Sequence, residues 1–569
     1  MSLASGVNAI DSLVYGSWTG QAGAPATVTY QFLTSVPNGA SSEDRAGFKP
    51  MTDVQKQATL SALALWAAVA NITFVEVSSD ANIRLGTNNQ GDTSSGYSYL
   101  PEPGVTQVEL YLNNTGSYNS NYTPGTFGPS VLLHEIGHTL GLKHPGDYNS
   151  TGEAVDGPFL PTATDNLDYT QMSYRQSMTN RGNYPVTPML YDIQAIQYLY
   201  GANMSYHAGD DVYKFTNGQM SSCIWDAGGY NTFDFSDCTG LTTIDLHAGA
   251  FSSTRLAIGN VSIAYNVTIK GVITGAGGST VRLNDAGDTV FGGAGADLVY
   301  VGAGDDAVNG GDGFDTASFT GAYASYKIVR SGDSVVVTGQ GKDTLSGVET
   351  LQFADRTVNV ADIVQVVAGG TGGNDRFVAQ AGSESFDGGA GVDTVVYGGA
   401  RSAYTVSTVS SGATLQVVDS GGTDTLTSIE RVQFADGALA FDTSGLAGEA
   451  YKLYRAAFNR TPDDGGLGYW ISQMDKGVAL RDVARSFIAS NEFKGLYGAA
   501  PTDAAFVDLL YQNILHRAPD AAGAAYWVGV LGQGQPREDT LAFFSEGKEN
   551  TDAVATLIAN GISYTPWLA

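Results

Sequence analysis

The sequence predicts a multidomain protein: an α/β domain over residues 1–205, a repeat-built β-solenoid over 206–445 and an all-α segment over 446–569. Three observations predict it. Apolar residues in the first third fall alternately on strand and helix periods. Gly, Asp and Asn then separate short strands on a nine-residue period. The last stretch carries a duplicated helical pattern. At 569 residues the chain is also too long for one core.

Composition narrows the function. There are 57 acidic against 28 basic residues and a formal net charge of -29. Phosphate binding needs clustered Lys and Arg, so this balance excludes a nucleic-acid partner and favours divalent cations. Glycine reaches 73 residues, and Gly rising together with Asp points to calcium-binding turns. Cys223 and Cys238 are too few for a disulfide framework; a single pair and two buried thiols both fit. No apolar run approaches the ~20 residues of a membrane span, so no transmembrane segment is expected. Met1 to Gly6 lacks a basic stretch leading into an apolar one, so export is expected to use another signal.

In the first domain, Thr27 to Phe32 alternates and is β-branched, which predicts a strand. Thr52 and Gln55 form a capping box for a helix running to Ala70, with Leu60, Leu63, Trp66, Ala67 and Ala70 on one apolar face. Strands follow at Ile72–Val77, Asn82–Gly86 and Val108–Leu112.

The chemistry lies in His134-Glu135-Ile136-Gly137-His138-Thr139-Leu140-Gly141-Leu142-Lys143-His144. One helical turn separates His134 from His138, so both imidazoles can reach one metal. Leu133, Ile136 and Leu140 face the other way, into the core. Gly141 can take a positive φ and end the helix, letting His144 return as a third nitrogen ligand. Three protein ligands leave one position open, which marks catalytic rather than structural zinc. Glu135 is badly placed as a ligand but well placed to take a proton from zinc-bound water and hand it to a leaving amine. A bare His-Glu-x-x-His arises by chance. Here three of the chain's six histidines fall in one short run with Glu and Gly where the chemistry needs them. His207, His247 and His516 stand apart from it in sequence.

The run, followed by Pro145-Gly146-Asp147-Tyr148-Asn149, resembles the serralysin branch of the metzincins. Met172-Ser173-Tyr174 is similar to that family's Met-turn. The resemblance implies a metzincin α/β catalytic domain with Met172 as the hydrophobic floor. Tyr174 is implied as a further zinc ligand that swings away to stabilise the oxyanion. Leu190 to Gly201 resembles the helix that closes the catalytic domain.

From 283 to 318 the nine-residue unit places Asp288, Asp297, Asp306 and Asp315 at position six, with Val290, Val299 and Val308 at position eight. A second array, 370–396, places Asp375, Glu384 and Asp393 there. Glycines at positions one, two and four allow tight turns, and the carboxylates with backbone carbonyls make a hard-oxygen site suited to Ca2+. This resembles the parallel β-roll of RTX proteins. Trp225-Asp226 to Phe235 resembles a further serralysin calcium site, with Asp226 as ligand and Asn231 where the family has Asp. Asp343-Thr344-Leu345 … Leu351-Gln352-Phe353-Ala354-Asp355 recurs as Asp424-Thr425-Leu426 … Val432-Gln433-Phe434-Ala435-Asp436, so each array is followed by a similar β segment. The carboxylates should repel without calcium and fold with it, which suits export as an unfolded chain.

In the tail, Arg460-Thr461-Pro462-Asp463 with Tyr469-Trp470 recurs as Arg517-Ala518-Pro519-Asp520 with Tyr526-Trp527. Each half reads as helix, turn and a helix beginning near Tyr-Trp. This duplication resembles a domain of unknown function attached to exported RTX proteins, which leaves surface attachment as a role. Arg460 and Arg517 are expected to fix their turns through nearby carboxylates.

Together these features point to a secreted zinc endopeptidase acting on extracellular protein or peptide substrates. Zn2+ and Ca2+ are its cofactors, and the resemblance implies type I secretion machinery as a partner. The rival reading is a calcium-folded cell-surface or adhesion protein that keeps a metzincin fold. Intact Glu135, His134, His138, His144 and Tyr174 favour the peptidase.

Overall fold

The computed structural model describes residues 3–148, 156–366, 369–380, 382–409 and 414–567. Met1, Ser2, Asn149, Ala381, Leu568 and Ala569, each inside a segment considered above, lie outside the described residues. These form two compact units, one of residues 1–328 with 333–360 and one of 329–332 with 361–569.

The first unit opens with a five-stranded sheet: β1 (Ala26–Phe32), β2 (Ile72–Glu76), β3 (Ile83–Asn88), β4 (Gly96–Ser98) and β5 (Val108–Asn113), in the order β2-β1-β3-β5-β4. All neighbours run parallel except β4, which is antiparallel to β5. Val108–Asn113 is therefore an interior strand. It is almost wholly buried between β3 and β4, and the short β4 takes the edge.

The capping box at Thr52 forms as expected, with Thr52 Oγ1 accepting from Gln55 N and Gln55 Oε1 from Thr52 N. The helix Asp53–Val69 buries Thr59, Ala62, Leu63, Trp66 and Val69. Its apolar stripe is thus rotated from the one expected, and Leu60 and Ala67 flank it half-buried. Trp66 Nε1 donates to the Leu133 carbonyl at 3.2 Å, tying this helix to the helix Phe127–Thr139.

Beyond the closing helix Leu190–Tyr200 the chain winds into two parallel ladders. Strands 271–273, 289–291, 307–309 and 342–346 stack on one side; 279–282, 298–300, 316–318 and 350–352 stack on the other. Val272, Val290, Val308 and Leu345 line the inside of the first ladder, and Val281, Val299, Ala317 and Leu351 that of the second. Nine residues make half a turn and eighteen return the chain to the same wall, so position eight always points inward.

The glycines serve stacking more than turning. A Cβ at Gly292 would lie 1.6 Å from the Gly310 carbonyl oxygen, at Gly302 2.0 Å from that of Asn284, and at Gly295 2.1 Å from Gly278 N. None of these three has a positive φ.

The second unit repeats the roll in short form. Strands 376–378, 394–396 and 431–434 form one wall, and 384–387 with 423–427 the other. Eight helices follow in two fours: Leu446–Phe458, Asp464–Asp475, Leu480–Ala489 and Asn491–Tyr497, then Asp503–Ile514, Ala521–Gly532, Arg537–Glu546 and Lys548–Ile558. The helices carrying Tyr-Trp start earlier than expected, where Asp463 and Asp520 cap them by accepting from Gly466 N and Gly523 N. Arg460 and Arg517 pair with Glu492 and Glu549, each over a tyrosine ring. Cys223 and Cys238 are buried free thiols.

Candidate metal centre

The helix Phe127–Thr139 presents His134 and His138 on one face, with Leu133, Ile136 and Leu140 buried on the other. Gly137 lets the helix approach the floor of the site. A Cβ there would meet Met172 Sδ at 2.6 Å and Trp66 Cζ2 at 3.2 Å. Gly141 has φ +101°, and a Cβ on it would fall 2.1 Å from the Gly16 carbonyl oxygen. That turn brings His144 back.

The three Nε2 atoms form a triangle with every edge 3.1 Å. His134 Nδ1 donates to the Gln171 carbonyl at 2.8 Å and His138 Nδ1 to that of Leu142 at 2.7 Å. The proton of each neutral ring is thereby fixed on Nδ1, leaving a lone pair on Nε2. Burial pushes the imidazoles down, His134 to about 4 and His144 to about 3, the neighbouring His134 ring adding to the effect at His144, so they stay neutral. Converging lone pairs repel one another unless a cation joins them. Tetrahedral zinc with bonds of about 2.0–2.1 Å separates its ligands by roughly 3.3 Å, which the triangle fits closely.

Glu135 is buried against β4. Its Oε2 accepts from Ser98 Oγ at 2.9 Å, and a Cβ on Gly96 would lie 3.1 Å from its Cγ. Burial raises its carboxyl to about 8. A cavity of about 440 Å³ opens beside it, lined by Phe127, Ser130, His134, Gln171, Tyr174 and Tyr184 among others.

Tyr174 borders the triangle, its ring centroid 4.4 Å from that of His144 and stacked on Tyr148 at 5.0 Å. Met172 is fully buried. Asp192 was not singled out in the sequence. It is fully buried and accepts from Thr170 Oγ1, Gln171 N and Met189 N at 2.6–2.8 Å, fastening the Met172 turn to the closing helix. Its signal was its place three residues after Met189, where a carboxylate caps a helix. Asp165 does similar work, accepting from Tyr148 and Ser173 hydroxyls and pairing with Arg175.

The repeat carboxylates form ladders one turn apart. Asp288 N donates to Asp306 Oδ1 at 2.7 Å and Asp297 N to Asp315 Oδ1 at 2.8 Å. In the second unit Asp375 N donates to Asp393 Oδ1 at 2.7 Å. Four further members were missed: Asp343 and Glu349 receive Asp306 N and Asp315 N, while Asp424 and Glu430 receive Glu384 N and Asp393 N. Hairpins inserted before them break the eighteen-residue register that would have revealed them. Asp288 Oδ1, Asp297 Oδ1, Asp315 Oδ2, Glu384 Oε1 and Asp393 Oδ2 are buried without a hydrogen-bond partner. Burial also raises Asp288 to about 7 and Asp315 to about 6. Orphaned anionic oxygens in Gly-rich turns are the donor set that Ca2+ takes.

Asp226 accepts from Tyr213 Oη and Gly228 N. It lies beside His207 and Asp211, which are 2.9 Å apart, so His207 is not isolated in the fold. Asn231 turns its Nδ2 towards the Gly228 and Thr268 carbonyls and accepts from Asp211 N through Oδ1.

Two family models match parts of the chain, and the histidine cluster at 134–144 lies outside both. Residues 191–410 match the family described as peptidase M10 serralysin C terminal, and 484–554 match a domain of unknown function, DUF4214. The chain thus carries a serralysin-type C-terminal region, rich in parallel strands, and a helical segment after it.

Among curated proteins it is 37% identical over 316 residues to "Serralysin" of Proteus mirabilis, covering 48% of this chain and 63% of that protein. It is 38% identical over 282 residues to "Metalloprotease AprA" of Pseudomonas entomophila, covering 44% and 57%. "Serralysin" of Photorhabdus laumondii is 37% identical over 286 residues, 46% of this chain and 59% of its own. The chain therefore spans about three fifths of the length of these relatives.

Proposed function

We propose that the chain is a zinc-dependent endopeptidase that cleaves polypeptides outside the cell, with a repeat region that folds on calcium. The observation that carries this reading is the 3.1 Å triangle of Nε2 atoms with the Glu135 carboxylate beside it. The names of the relatives support it, since serralysin and a metalloprotease are among them.

His134, His138 and His144 would hold the metal. When bound, zinc acidifies water and polarises a carbonyl. The remaining steps belong to the chain's own residues. A peptide pairs its backbone with the free edge of β4, and a side chain enters the 440 Å³ cavity. Glu135 accepts the proton of the attacking water; burial raises its carboxyl to about 8, and the charge of a bound metal would draw it back to the ionised form that a base needs. It then delivers that proton to the departing amide nitrogen. Tyr174, at the rim, is assigned as a further ligand and as a donor to the developing oxyanion.

The ladder carboxylates Asp288, Asp297, Asp306, Asp315, Asp375 and Asp393, with Asp226, are assigned to calcium, and Asp343, Glu349, Glu384, Asp424 and Glu430 join them. Calcium-gated folding suits export of an unfolded chain by a one-step secretion system. No described helix is long and apolar enough to cross a membrane. The helical tail is assigned to surface attachment.

Incubating the wild type and Glu135→Gln with casein, with zinc content measured in parallel, tests the reading. Cleavage by the wild type only, at equal zinc, is expected. Equal cleavage by both would remove Glu135 from its role, and none by either would favour an adhesion protein.

A further inference from the structure

Two features meet at Glu135 that the mechanism above does not use, and a third, the free edge of β4, enters it only as a docking site. Ser98 Oγ lies 2.9 Å from Glu135 Oε2 and 2.8 Å from the Glu135 carbonyl oxygen, so its single proton is shared between them. Gly96, on the same face of β4, leaves the space into which the Glu135 side chain fits, since a Cβ there would sit 3.1 Å from Cγ and 3.3 Å from Oε1. The strand carrying both is the sheet's last, held on one side by β5 and unpaired on the other among the described residues.

We propose that Ser98 is a positioning residue for the general base, and that β4 transmits peptide docking to it. This rests on the peptidase reading of the site. Residues two apart on a strand share a face, so Gly96 and Ser98 grip the same carboxylate while their backbone offers hydrogen bonds to a substrate. A glutamate has three side-chain torsions, and burial alone does not choose among them. The Ser98 hydroxyl fixes one oxygen; the clearance at Gly96 fixes the path of the chain behind it. A short edge strand with backbone pairing on one side only opens more readily than an interior strand, and an added peptide strand would stiffen it. The carboxylate is therefore best ordered when a substrate lies along the edge. A serine acting only in folding would make no such distinction.

The test compares wild type, Ser98→Ala and Ser98→Thr, each loaded with zinc and calcium. Steady-state cleavage of a fluorogenic peptide is read alongside a crystal structure of each. Ser98→Ala is expected to lower kcat about tenfold, as loss of one charge-assisted hydrogen bond does, with KM within about twofold. Its Glu135 should occupy more than one rotamer. Ser98→Thr keeps the hydroxyl and should restore both kcat and a single rotamer. Unchanged kcat with an ordered Glu135 in Ser98→Ala would overturn the proposal, as would failure of Ser98→Thr to rescue a folded enzyme. Were the wild type itself inactive, the peptidase reading would fall, and the Glu135 rotamers would still decide the clamp.

Discussion

Gly137→Ala sets two effects of opposite sign against each other. Alanine in a helix interior is favoured over glycine by about 1 kcal/mol. The new Cβ would, however, stand 2.6 Å from Met172 Sδ and 3.2 Å from Trp66 Cζ2, where carbon and sulfur need roughly 3.5–4.0 Å. Something must move by about 1 Å. Both neighbours have no exposed surface, so neither can swing aside. Overpacking of this kind costs about 1–3 kcal/mol, and the balance predicts a net loss of about 1 kcal/mol.

The displacement should also reach the metal. Met172 follows Gln171, whose carbonyl holds the His134 ring. Disturbing such a partner weakens metal binding about 10- to 100-fold. The assay is thermal unfolding in a zinc-selective chelator with calcium kept in excess, to read packing alone, followed by zinc titration of the same variant. A variant stabilised by about 1 kcal/mol, with wild-type zinc affinity, would refute the claim that Gly137 is required by Met172 and Trp66.

Other outcomes follow from the same contacts. Asp192→Ala strands three buried donors, each costing about 1–3 kcal/mol, and should lower Tm and loosen the Met172 turn; calorimetry with zinc titration checks this. Gly292→Ala drives a methyl into the Gly310 carbonyl and should unseat the first β-roll, lowering its calcium affinity in isothermal titration. Removing calcium with EGTA should abolish the circular-dichroism signal of the stacked strands and calcium should restore it, because buried carboxylate oxygens lose their counter-ion; an unchanged spectrum would contradict the assignment.

The histidine triangle was legible because its parts lie within one helix and one turn, where spacing fixes geometry. The helix at Thr52 was legible for the same reason. What the sequence concealed depends on distant pieces. Gly96–Ser98 is three residues long, too short for any period to show. Its edge position follows from pairing with β5. Asp343, Glu349, Asp424 and Glu430 complete ladders whose eighteen-residue spacing is broken by hairpins, so their role emerges only when turns stack. Asp192 and Ser98 are ordinary residues in sequence; their partners make them matter. The glycine pattern was visible, whereas its cause, neighbouring backbones in near contact, belongs to the assembled roll.

The most direct test of the central claim is X-ray diffraction from the zinc-loaded protein at wavelengths on either side of the zinc edge. One strong anomalous peak within bonding distance of Nε2 of His134, His138 and His144 is predicted, with Glu135 alongside and unbound. A peak elsewhere, or none in protein that still cleaves peptides, would contradict it.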